Sequence, residues 1–195
     1  VQASHLYGEL KDEKRQLALM ETAYEQGFLD RSSELVTMAY LYLSAEVPYF
    51  AGSVMQRGFK DELVEDKSKN YELAGSAGAQ AREVEKSIPM MEKAAAKSDG
   101  GELYVRLGNV YLDGDQFSKA ADSVQKGLKK GGVKRPDQAR LVLGMSYFNL
   151  GEYDKARRAF RAAGKDKRSK TYSQQWIKYI ASEENRQREL EKDIF

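Results

Sequence analysis

A small residue recurs at one register along this chain, and that recurrence constrains the fold more than any other feature. Ala39, Gly75, Gly108 and Gly144 follow one another at intervals of 36, 33 and 36 residues. A second small residue tracks the first: Ala51, Ser87, Ala120 and Ala156. The stretch 104–163 shows the pattern most clearly. Tyr104-x-x-Leu107-Gly108-x-x-Tyr111 leads to Phe117-x-x-Ala120; Leu143-Gly144-x-x-Tyr147 leads to Gly151-x-Tyr153-x-x-Ala156-x-x-x-Phe160-x-x-Ala163. Each copy reads as a helical hairpin. The small residues let its two helices approach, and the large ones fill the gap to the next hairpin. A unit of this size buries its apolar face only by stacking on neighbours, so the repeat predicts an all-α array.

The rest of the chain is divided by the same register. Residues 1–31 read as a cut or degenerate N-terminal repeat, with Leu17, Met20, Ala23 and Tyr24 at helical spacing and Gly27 at the helix end. Residues 32–68 hold a hairpin and its connection, with Pro48 in the first turn of the second helix. Residues 69–100 hold a degenerate copy, in which Gly75-x-x-Gly78 weakens the first helix and Pro89 is expected to kink the second. Ser98-Asp99-Gly100-Gly101 reads as a breaker. The two clearest copies follow at 101–135 and 136–169, then a C-terminal capping helix at 170–195. Its predicted apolar stripe is Tyr172, Trp176, Tyr179 and Ile180, and beyond Ile180 the sequence is almost wholly polar.

The order of large, small and aromatic residues in 104–163 resembles the tetratricopeptide repeat. The resemblance implies a right-handed α-solenoid whose concave face, lined by first helices, holds a segment of a partner protein. The groove positions of that family fall here on Tyr40, Val105, Asn109, Leu112, Met145 and Phe148, among others. Of the Lys/Asn/Arg clamp that some members use for a terminal carboxylate, only Asn109 is matched, so the groove suits an apolar or helical segment instead. The competing reading is that some of these side chains only fill space between hairpins. A narrower resemblance links the Met-Glu-x-Ala and Met-Glu-Lys-Ala helices (from Met20 and Met91) and the Trp176-Ile-Lys-Tyr179-Ile180 helix to repeat proteins of TonB–ExbB–ExbD systems. It implies a bacterial periplasmic scaffold that binds envelope energy-transduction components.

Composition removes most catalytic chemistry. There is no Cys and one His, His5, which excludes disulfides, thiolate–metal sites and Cys–His catalysis, and leaves no metal-ligand spacing. The expectation is a non-enzyme without cofactor. No apolar run is long enough to cross a membrane as a helix. The chain opens at Val1 without a leader, so it is expected to be cut from a longer protein, and lack of Cys fits the cytoplasm as well as the periplasm. A truncated array would also expose an apolar end, so self-association is a further expectation. Charge offers the one rival signal. Residues 126–170 carry fourteen cations against four carboxylates, an excess of ten in a chain whose net charge is +2. Lys129, Lys130, Arg157, Arg158 and Arg161 are its candidate basic surface, and the alternative function is a nucleic-acid or acidic-surface binder. These cations fall on second helices and loops without interleaved exposed aromatics, which argues against nucleic acid and for an acidic protein surface or a merely solvated face.

Overall fold

A computed structural model describes residues 2–10 and 12–192; the side chains of 2, 3, 5, 6 and 192, that of His5 among them, lie outside that description. Among the described residues the regular elements are α-helices: α1 Gln2–Glu9, α2 Glu13–Glu25, α3 Ser32–Ser44, α4 Pro48–Lys60, α5 Ser68–Gln80, α6 Val84–Ala96, α7 Glu102–Asp113, α8 Phe117–Lys130, α9 Pro136–Asn149, α10 Tyr153–Ala163 and α11 Lys167–Lys192. They form two compact units, Val1–Ser98 and Asp99–Phe195. Within each unit, every helix packs on the next in sequence. This is the α-solenoid class of stacked helical hairpins.

Local chemistry sets the helix ends. Asp12 accepts the Arg15 N–H at 3.2 Å and caps α2. Pro48 and Pro136 open α4 and α9, where a missing N–H costs nothing. α6 runs unbroken across Pro89, and Ser87 and Met91 on either side of it stay buried. α11 starts at Lys167, ahead of the expected boundary at 170, because the Asp166 carboxylate accepts the Arg168 N–H at 2.9 Å and organises the first turn.

The recurrent small residues sit where the sequence pattern puts them. Ala39 is fully buried, and a Cβ on Gly75, Gly108 or Gly144 would lie 2.6 Å from Met91, 2.4 Å from Val124 and 2.7 Å from Phe160 respectively. Each of those partners is buried on the second helix of the same hairpin. In the first unit the core gathers Met20, Leu35, Met38, Tyr42, Val54, Met55 and Leu73; in the second, Val105, Val124, Ala139 and Val142 form one cluster and Ala156, Phe160 and Ile180 another.

The turns within hairpins repeat too. Glu46, Arg82 and Asp115 have φ of 60°, 61° and 56°, and Gly151 has 73° at the equivalent place. A left-handed residue with a Cβ costs about 1–2 kcal/mol, partly offset when glycine replaces it by the extra entropy of the unfolded chain. Arg82→Gly is therefore expected to stabilise the first unit by about 0.5–1 kcal/mol in denaturant titration. Asp115→Gly gains less, because Asp tolerates this conformation better.

The stripe predicted on α11 splits. Ile180 is fully buried, and Trp176 stacks on Phe160 with centroids 5.1 Å apart. Tyr172 and Tyr179, however, remain 46% and 53% exposed. At 100° per residue the buried face is centred on Ser173, Trp176 and Ile180, which leaves the two tyrosines on its flank.

Candidate functional site

In the second unit α7, α9 and the start of α11 enclose a concavity of about 510 Å³. α7 contributes Glu102, Val105, Arg106 and Asn109; α9 contributes Gln138, Ala139, Leu141, Val142 and Met145. The connection before α9 adds Val133, Lys134 and Arg135, and α11 adds Tyr172. The floor is apolar and continuous with the core, since Val105, Ala139 and Val142 are buried. The rim is polar. Glu102 accepts the Lys134 backbone N–H at 2.9 Å and lies 3.8 Å from Arg106, which fixes the connection against α7. Asn109 donates to the Val105 carbonyl at 3.1 Å.

Arg135 is anchored at the rim by Asp137. Their charged atoms meet at 2.6 Å, and Asp137, only 2% exposed, also accepts the Ser169 hydroxyl at 2.7 Å. The Arg135 guanidinium, aided by Ser169, holds the Asp137 carboxyl well below the usual carboxylate range. This cluster ties the N-terminus of α9 to that of α11, two of the helices that frame the concavity.

Of the six groove residues read from the sequence, Val105, Asn109 and Met145 line this concavity together. The others lie elsewhere. Leu112 packs half-buried against the Val105 cluster. Phe148 is enclosed by rings, 5.6 Å from Tyr153, 5.3 Å from Trp176 and 5.3 Å from Tyr179, so much of its surface serves packing. Tyr40 lies on α3 in the first unit and is 55% exposed. Val105 itself is 8% exposed and forms floor rather than a projecting contact. Sequence register missed Lys134, Arg135 and Tyr172 as wall residues. A Lys-Arg pair just ahead of a helix-opening proline was the available signal for the first two.

Of the five candidate basic residues, Arg157 is engaged in ion pairs. Arg157 is paired with Glu184 on α11 and with Asp154, each at 2.6 Å, and these carboxylates raise its pKa further. It serves as a fastener for α11 rather than as a free cation. Lys126 and Lys130 lie over the Tyr104 ring, 4.5 Å and 5.6 Å from its centroid. Similar contacts put Lys93 over Tyr71, Lys119 over Tyr111 and Lys155 over Tyr147. Second-helix lysines thus cover first-helix tyrosines within hairpins. Lys129, Arg158 and Arg161 are exposed. Among the described residues there is no group of three or more His, Cys, Asp or Glu able to hold a metal, and no helix long and apolar enough to cross a membrane.

Residues 137–163 match the family model of the tetratricopeptide repeat. Comparison with curated proteins gives no match. Among solved structures, MamA is similar with a TM-score of 0.70 at 18% identity, over 87% of this chain and 96% of that one. The C-terminal part of a TPR repeat-containing protein from Cytophaga hutchinsonii gives 0.70 at 14% identity, over 95% and 72%. YrrB, described as a TPR protein with an unusual peptide-binding site, gives 0.69 at 13% identity, over 84% and 82%. Residues 137–163 thus resemble a tetratricopeptide repeat, and the chain has the stacked helical-hairpin fold seen in tetratricopeptide-repeat proteins.

Proposed function

We propose that this chain is a non-catalytic interaction scaffold that holds a segment of a partner protein in the concavity framed by α7, α9 and α11. The observation that carries the reading is an apolar floor, Val105, Leu141, Val142 and Met145, open to solvent between polar walls. The walls are helices already fixed by hairpin packing, so a docking segment orders little of its receptor. The peptide-binding site attributed to YrrB, on a similar fold, supports the same use of such a surface. The resemblance of the Met20, Met91 and Trp176 motifs to repeat proteins of TonB-type systems extends the proposal: the partner is an envelope energy-transduction component, met in the periplasm.

The test is capture from an extract of the source cells, including solubilised envelope, in the presence of nuclease. Met145 is half-buried at the floor, and Met145→Glu puts a charge there. Loss of a central apolar anchor typically weakens binding by 2 kcal/mol or more, roughly thirtyfold. The variant, checked for helicity by circular dichroism, is expected to lose the captured protein. Capture of envelope energy-transduction components supports the extended reading; Met145-dependent capture of other proteins supports the groove and rejects that extension. Capture abolished by nuclease in the wild type favours the basic surface instead.

A further inference from the structure

The concavity does not stop at α9. Tyr172, which closes one side of it, also lines a second depression of about 450 Å³ on α11, shared with Gln175, Trp176 and Tyr179. The two depressions meet at Tyr172 and have unlike linings. At the α7–α9 end the cations of the lining are Arg106, 3.8 Å from Glu102, Arg135, held by Asp137, and Lys134, which leaves that end with a cationic excess of one above an apolar floor. Glu102 is engaged by the Lys134 backbone, so its charge is partly satisfied from within. At the α11 end the lining is aromatic. Trp176 lies edge-on to Tyr172 and to Tyr179, at 6.4 Å and 5.8 Å between centroids, and both tyrosines are about half exposed.

A helix that merely closed an array would turn polar side chains outward here. Exposed rings instead offer flat apolar faces with hydroxyl groups at their edges, suited to a ring side chain of a partner. Aromatic-lined grooves take proline-rich segments for the same reason. Charge complementarity fixes the other end: a segment facing Arg106, Lys134 and Arg135 is favoured by carboxylates and repelled by cations.

We propose that the occupant is an acidic linear segment with a ring-bearing anchor: its carboxylates face Arg106, Lys134 and Arg135, and an aromatic residue or proline lies on Tyr172, Trp176 and Tyr179. This deepens the groove reading and rests on it. A segment of the opposite polarity, basic and without a ring, leaves both ends of the surface unmatched.

The test is selection of a displayed library of random short peptides against the whole chain. Enriched peptides are then titrated at low and high salt against three variants: Arg106→Glu/Lys134→Glu, Tyr172→Ala/Tyr179→Ala and Met145→Glu. The expected consensus joins Asp or Glu to an aromatic residue or proline. Its affinity falls about tenfold in the charge-reversal variant and drops with added salt, and about tenfold again in the double-Tyr variant. The exposed positions chosen leave the helical content unchanged. A neutral or basic consensus, or an acidic one indifferent to both double variants, overturns the proposal. If such peptides are still lost in Met145→Glu, the groove reading survives that result. Absence of any enrichment, or enrichment indifferent to all three variants, overturns both.

Discussion

Gly101→Ala is expected to destabilise the second unit by about 3 kcal/mol, at the top of the usual range for forcing atoms into a packed interior. A Cβ on Gly101 would lie 1.9 Å from the Gly127 carbonyl oxygen and 2.6 Å from its carbon. These are backbone atoms of α8, which cannot swing aside as a side chain can. Gly101 also donates its N–H to the Gly131 carbonyl at 2.7 Å, so the start of α7 is tied to the end of α8 at both points. Gly52→Ala is the control. Its Cβ would meet Gly78 N at 3.6 Å, an ordinary contact, and it lies inside α4. There alanine gains about 0.5–1 kcal/mol of helix propensity. Trp176, the single tryptophan, lies in the second unit, and its fluorescence in a denaturant titration reads the Gly101 variant; Gly52 lies in the first unit, and far-UV circular dichroism along the same titration reads its variant.

Asp137→Asn removes the charge that holds Arg135 and faces Arg168 at 3.8 Å, while keeping the shape. Breaking a buried pair from one side costs about 3–5 kcal/mol; Arg135 is 34% exposed and partly rehydrates, so about 2–3 kcal/mol is expected. The pH dependence has a definite sign. Because the native carboxyl is held below its unfolded value of about 3.9, its stabilisation is fully present above that pH. It is lost only as pH falls from there through the lowered native value. The wild type is therefore expected to keep this contribution from neutrality down to about pH 4 and lose it below. The Asn variant lacks it throughout and shows a flatter acid limb, read by Trp176 fluorescence along a pH series. A parallel loss of partner binding at neutral pH would follow, because Asp137 positions both Arg135 and the start of α11.

What the sequence made legible is what repeats. The register of Ala39, Gly75, Gly108 and Gly144 marks helix faces, and the partners Met91, Val124 and Phe160 lie opposite the three glycines because a hairpin of fixed length puts them there. Interactions off that grid were not legible. The bond between Asp137 and Ser169 and the pair between Arg157 and Glu184 join residues whose separation follows no helical period. Arg157 thus read as a surface cation when it is a fastener. Ser98–Gly101 read as a breaker and does separate α6 from α7, but the steric role of Gly101 depends on α8, not on its own neighbours, and was not legible. Tyr172 and Tyr179 read as part of one stripe with Trp176, because spacing gives a face only to within a residue's width. The structure shows the boundary of burial falling between them. For the candidate groove, register found the floor through Val105 and Met145, but not the wall built by the connection at Lys134 and Arg135.

Hydrogen–deuterium exchange of the chain with and without a captured partner reads which face the partner covers. Slowed exchange is expected in α7, in the 131–135 connection, in α9 and in the first half of α11, with α8 and α10 unchanged. Protection confined to α8 and α10, where Lys129, Arg158 and Arg161 are exposed, would contradict the groove reading and assign binding to the outer basic surface.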